Sequence, residues 1–141
     1  MAVETIYVNY SVTQIEAYIR CPQRFKYQYV DGLSTVKTDN LIFGSSIHSA
    51  LEFNFAAKIH TREDLPTKVI MDNFAENLES SKNEVEWESG FGAQLDTGVE
   101  LVRLYMSDYA KKIYPLKVEQ SFTVKIPGVD KEFFGILEKM Y

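Results

Sequence analysis

The chain has 141 residues, of which 45% are hydrophobic and 25% charged, enough length and apolar content for one globular domain with a real core. Its net charge of −5 and pI of about 5.1 remove the class of nucleic-acid binders that act through bulk positive charge, although carboxylates gathered for metal binding depress net charge in the same way. A single cysteine excludes an internal disulfide and cannot hold zinc or an iron–sulfur cluster by itself. No stretch approaches the roughly 18 consecutive apolar residues of a membrane span, and the first residues lack a basic region followed by an apolar one.

Taken in chain order, residues 3–9 alternate loosely, as a short strand or extended arm would. Ser11 suits a helix N-cap and Gln14 sits where a capping box places Glu or Gln, so the first helix is predicted over residues 12–20. Pro22 cannot continue that helix but fits the first turn of another, predicted over 22–30 and closed by Asp31-Gly32. A third helix is expected from about 40 to 58, with Leu41, Gly44, Ile47, His48, Leu51 and Phe55 at spacings of three and four on one apolar face. Pro66 fits the first turn of a fourth helix running to about residue 78, whose core stripe is Val69, Ile70, Phe74 and Leu78. Residues 79–93 are polar and acidic and read as a loop, with Trp87 as its anchor. A fifth helix spans about 94–113, with Val99, Val102, Tyr105, Met106 and Tyr109 on its apolar side and Pro115 beyond its end. The period then becomes two: Val118, Gln120, Phe122, Val124 and Ile126 share one strand face and Glu119, Ser121, Thr123 and Lys125 the other. Pro127-Gly128-Val129-Asp130 is a hairpin turn, and 131–141 a second strand. The predicted fold class is α+β: one domain over 1–141, a helical N-terminal part packed on a short antiparallel β-hairpin.

The chemistry-bearing residues fall in three places. Around the first helix break, Arg20, Arg24 and Lys26 stand among Phe25, Tyr27 and Tyr29, a mixture of basic and aromatic side chains suited to phosphate and base contact, or equally to a structural helix with solvated charges. In the third helix His48 shares the expected apolar face with Gly44, whose lack of a side chain lets a backbone or ligand come close, and Glu52 follows one turn later. In the hairpin the carboxylates are Glu119 and Glu138.

Three segments in order, YSVTQIEAYIRCPQRFKY (10–27), FGSSIHSALE (43–52) and the pair VEQSF (118–122) with FGILE (134–138), resemble the RecB/AddB-like exonuclease branch of the PD-(D/E)xK nucleases. The resemblance covers 10–138 and implies a partial restriction-endonuclease-like core. It implies hydrolysis of DNA phosphodiesters with Mg²⁺ or Mn²⁺, in repair, recombination or phage replication, with DNA and a helicase or other recombination protein as partners; the single cysteine suits a reducing, cytoplasmic setting, and no membrane partner is expected. By the same resemblance His48 and Glu138 become metal ligands, Glu119 a weaker candidate ligand, and Glu52 a carboxylate that orients the imidazole. Arg20, Arg24, Lys26 and Tyr27 become nucleic-acid contacts. Cysteine-cluster relatives bind iron–sulfur centres, but Cys21 has no companion, so no cluster is expected and Cys21 is expected to be a small buried packing residue.

Two departures matter. Glu138 stands where the family carries a metal-binding Asp, so its carboxylate reaches one methylene further. The family also needs a second carboxylate with a Lys two residues on, and none of the chain's 20 Asp and Glu residues has one; Lys139 is adjacent to Glu138 and would point to the opposite strand face. The chain is therefore expected to be the incomplete N-terminal part of such a nuclease domain, inactive alone, the alternative being a non-catalytic DNA-binding or protein-interaction module on the same fold.

Overall fold

The computed structural model describes residues 9–140, with side chains described for 10–137. The expected arm at 3–9 lies, but for Asn9, outside the described residues. In order the elements are β1 (Asn9–Ser11), α1 (Val12–Arg20), α2 (Pro22–Phe25), a π-helical turn (Lys26–Val30), α3 (Asp39–Thr61), α4 (Thr67–Ser80), α5 (Phe91–Asp108), a 3₁₀ turn (Ala110–Lys112), β2 (Lys117–Lys125) and β3 (Glu132–Met140). This is the α+β class expected from the periodicities. The chain divides into two compact units: one of 1–36 with 120–138, the other of 37–119 with 139–141.

In the first unit the capping box forms as predicted. The Gln14 N–H donates to Ser11 Oγ at 3.3 Å and the Ser11 N–H to Gln14 Oε1 at 3.1 Å, which fixes the start of α1. The helix stops at Cys21, whose extended backbone and following proline redirect the chain. Cys21 is exposed, not buried: its Sγ accepts from the Arg24 N–H at 3.4 Å and caps α2, a polar task that holds it at the surface. The π turn is closed by the Asp31 N–H on the Lys26 carbonyl at 2.8 Å. The strands run in the order β1-β3-β2, with β1 parallel to β3 through Tyr10↔Phe133 and Ser11↔Phe134. Between β2 and β3 the Phe122 ring lies over Gly135, where an added Cβ would collide with it.

In the second unit α3, α4 and α5 enclose Ile42, Ala50, Phe55, Ile70, Phe74, Leu78, Val102, Met106 and Ala110. The α4 stripe is as predicted except for Val69, which is exposed. On α5 the buried line is Gly98, Val102 and Met106, continued by Ala110 in the 3₁₀ turn, while Tyr109 is exposed and stacks on Tyr105. Gly98 exists for packing: a Cβ there would run into the Phe74 ring and lie 2.9 Å from Phe43. The loop before α5 is shorter than expected, because α5 starts at Phe91 after Gly90 with φ +82°. Trp87 does anchor it, donating Nε1–H to the Lys82 carbonyl at 2.8 Å and meeting Phe91 edge-on.

The face of α3 differs from its prediction. The buried line is Asp39, Ile42, Ser46, Ala50, Asn54 and Lys58, with Phe55 beside it, whereas Leu41, Gly44 and His48 are exposed. Polar residues on the inward line made the apolar residues a poor guide to its direction. They are satisfied there: Lys58 Nζ donates to the Ala110 carbonyl at 2.6 Å and pairs with Asp64 at 3.0 Å. Asn54 donates to Asp64 at 2.9 Å and accepts from the Leu65 N–H at 2.8 Å. Asp39 accepts from the Glu88 N–H at 3.2 Å, tying the 81–90 loop to the start of α3.

Candidate functional site

His48 and Glu119 both lie in the second unit. His48 sits in the middle of α3, one turn beyond Gly44 and one before Glu52, with its side chain half-exposed. Among the described residues outside its own stretch of helix, no atom lies within 4 Å of the position a Cβ would take at Gly44, so no neighbouring element requires a glycine there. Glu119 is the third residue of β2, and its carboxylate Oε1 stands 3.7 Å from His48 Nδ1. That is just beyond hydrogen-bond length.

The backbone at Glu119 explains how the pair arises. Its φ of +51° is left-handed, a conformation that costs a non-glycine residue of order 1 kcal/mol and in a strand acts as a bulge does, re-aiming a side chain. Regular alternation fails around it: Val118, Glu119 and Gln120 are all half-buried, whereas from Ser121 to Thr123 the usual exposed–half-buried–exposed order holds. The period-two reading therefore gives the right strand and the wrong local facing for Glu119.

Glu52, the expected orienting carboxylate, is half-buried on α3. Glu138 lies on β3, and its side chain is outside the described residues. Among the described residues no group of three or more His, Cys, Asp and Glu side chains is gathered as a metal shell would be. What is gathered is one imidazole and one carboxylate, an N/O donor set that suits a hard or borderline divalent cation.

The four expected nucleic-acid contacts belong to the first unit and separate into two pairs. Lys26 Nζ pairs with Asp31 at 3.0 Å, and the Tyr27 hydroxyl accepts from Gln23 Nε2 at 2.8 Å, so both fold back on their own helix. Arg20 and Arg24 instead line one cleft of about 140 Å³ with Thr13, Glu16, Gln28 and Tyr29. Rings stack beside it, Tyr18 edge-on to Phe25 at 5.5 Å and Phe25 on Tyr29 at 5.2 Å. Among the described residues the shifted titrations lie away from both places. Hydrogen bonds from Lys37 and then Ser81 lower the Glu84 carboxyl, that from Arg103 lowers Glu100, and the partner Asp72 raises Lys68. The Arg20–Arg24 convergence was not visible in the sequence, where its only linear signal is a pair of arginines four apart across a helix break.

No described helix is long and apolar enough to cross a membrane. Compared with known proteins, residues 9–130 match the family model of the PD-(D/E)XK nuclease superfamily. No curated protein and no solved structure matches the chain.

Proposed function

The chain belongs to the PD-(D/E)XK nuclease superfamily, and from that premise we propose that it serves a divalent-metal-dependent DNA nuclease in which His48 is a metal ligand. The carrying observation is the approach of His48 Nδ1 to Glu119 Oε1 at 3.7 Å across a helix and a strand. A metal-binding imidazole usually donates its second N–H to a carboxylate, which fixes the ring and makes the other nitrogen a better donor. On this reading Glu119 orients His48 through Nδ1, and Nε2 is the ligating atom. The geometry favours Glu119 over Glu52 for that part, and the left-handed backbone at Glu119 is what aims it. Glu138, on the strand that follows the hairpin turn, is the proposed carboxylate ligand.

Mg²⁺ or Mn²⁺, the ions that such nucleases generally use, would supply positive charge to polarise the scissile phosphate and acidify water. The chain's own residues hold the ion, orient the imidazole and bind the DNA. The three ordered motifs support the finer reading, an exonuclease of the RecB/AddB-like branch in repair, recombination or phage replication, partnered by a helicase or other recombination protein in the cytoplasm. The 141 residues contain no Asp or Glu with Lys two positions later. For that reason we expect no cleavage from this chain alone, and the second reading, a non-catalytic DNA-binding module on the same fold, rests on the same observation.

Mn²⁺ titration followed by electron paramagnetic resonance tests the site. His48→Ala should abolish specific binding, and Glu119→Gln should weaken it about 10- to 100-fold, as loss of an orienting carboxylate does. Wild-type affinity in His48→Ala would sink the proposal. Incubation with linear DNA and Mn²⁺ should give no products; cleavage that His48→Ala removes would overturn the expected inactivity.

A further inference from the structure

We propose that the cleft between α1 and α2 is a phosphate-binding subsite for DNA, formed by Arg20 and Arg24; for its ligand class this rests on the nuclease reading above. Thr13, Glu16 and Arg20 recur at spacings of three and four and so share one face of α1. Cys21 then breaks the helix, and its Sγ caps the restart at the Arg24 N–H, so the second arginine is presented from a chain that has changed direction. The π turn that follows brings Gln28 and Tyr29 to the same cleft. Isolated π turns are frequent at functional sites.

Two arginines lining one cleft place like charges near each other, which a bound anion would offset. Among the described residues neither Arg20 nor Arg24 makes an ion pair, whereas Lys26, two residues on, pairs with Asp31. Guanidinium is the side chain best matched to phosphate, since its planar fork donates two parallel hydrogen bonds. Thr13, Gln28 and Tyr29 are of types that donate to further oxygens. The cleft, of about 140 Å³ and partly open to solvent, has room for a phosphate group. Glu16, one turn before Arg20, supplies an opposing charge, in the order that suits a helical pair. It offsets part of the charge of Arg20 when the cleft has no anion and repels the phosphate when one enters.

The phosphate could be a terminal monoester or an internal diester, and fluorescence anisotropy in EDTA distinguishes them. The probes are a single-stranded oligothymidylate with a 5′-phosphate and the same strand with a 5′-hydroxyl, read at several salt concentrations. Arg20→Ala and Arg24→Ala should each weaken binding about tenfold, and each should lower the salt slope by about one. A loss confined to the phosphorylated probe assigns a terminal phosphate; an equal loss for both assigns an internal one. Arg20→Lys with Arg24→Lys should keep the salt slope and lose affinity, as forked recognition requires. Glu16→Gln should tighten binding several-fold.

Wild-type binding by the Arg20→Ala/Arg24→Ala double variant, with an unchanged far-ultraviolet circular dichroism spectrum, overturns the proposal. So does weaker binding by Glu16→Gln, or an oligoglutamate peptide that binds as tightly as the oligonucleotide and is lost in the same variants. Because EDTA removes metal from the assay, His48→Ala should bind both probes normally and the arginine variants should bind Mn²⁺ normally. Failure of the metal site and failure of the phosphate site are thus read separately.

Discussion

The two units spend the same kinds of residue in opposite ways. In the unit of α3, α4 and α5, Phe55, Ile70, Phe74 and Leu78 are fully buried, and even Lys58 and Asn54 are drawn inside and satisfied. In the unit of α1, α2 and most of the hairpin, Gln14 and Gly135 are the buried residues among those described, while Val12, Ile15, Tyr18 and Ile19 stand exposed on α1. The helical unit holds the larger buried core and offers His48 from the middle of a 23-residue helix. The other unit spends its structure on caps, a helix break and a π turn, devices that aim side chains.

That contrast can be broken most directly in the core. Phe74→Ala should cost about 3–5 kcal/mol in urea denaturation, whereas Ile19→Ala, at an exposed site, should stay within about 0.5 kcal/mol. Equal effects would mean that α1 is as deeply packed as α4. Next, Lys58→Ala should cost about 3–5 kcal/mol, because it leaves Asp64 and the Ala110 carbonyl without their buried cation. Lys58→Met, which refills the volume but not the charge, should not restore wild-type stability unless Asp64 is also replaced.

The two glycines of the helical unit should move in opposite directions. Gly98→Ala forces the Phe74 ring aside and should destabilise by about 1–3 kcal/mol, while Gly44→Ala meets open space within α3 and should stabilise by up to about 1 kcal/mol. A melting temperature lowered by Gly44→Ala would show that the position is crowded after all. The smallest effect is at the surface. Lys37 donates to Glu84 at 2.5 Å and holds its carboxyl below the ordinary value of 4.5. A depressed carboxyl contributes stability above its unfolded pKa and loses it as pH falls through the lower folded one. Glu84→Gln should therefore slightly lower stability at neutral pH and flatten the acid limb of the stability–pH curve below about pH 4.5, where variant and wild type converge.

The sequence determined a good deal of this molecule. Caps are local chemistry, so Ser11 with Gln14 gave the start of α1 to the residue, and Pro22 gave the restart of α2. The α4 stripe was legible because its inward residues are apolar and its outward ones polar. The three ordered motifs were legible as well, and the family match over 9–130 agrees with them at the level of the superfamily. The direction of α3 was not legible: Ser46, Asn54 and Lys58 lie on its inward line, and Asn54 and Lys58 can do so only because Asp64, Leu65 and Ala110, brought back by later segments, satisfy them. Nor could the linear sequence say that Glu119 turns left-handed in mid-strand and comes to His48, or that Arg20 and Arg24 converge while Lys26 turns to Asp31. Hydrogen bonds between neighbours in sequence depend on residue type and spacing, and the chain states both. Facing and convergence depend on which distant groups arrive to satisfy a side chain, and only the folded backbone decides that.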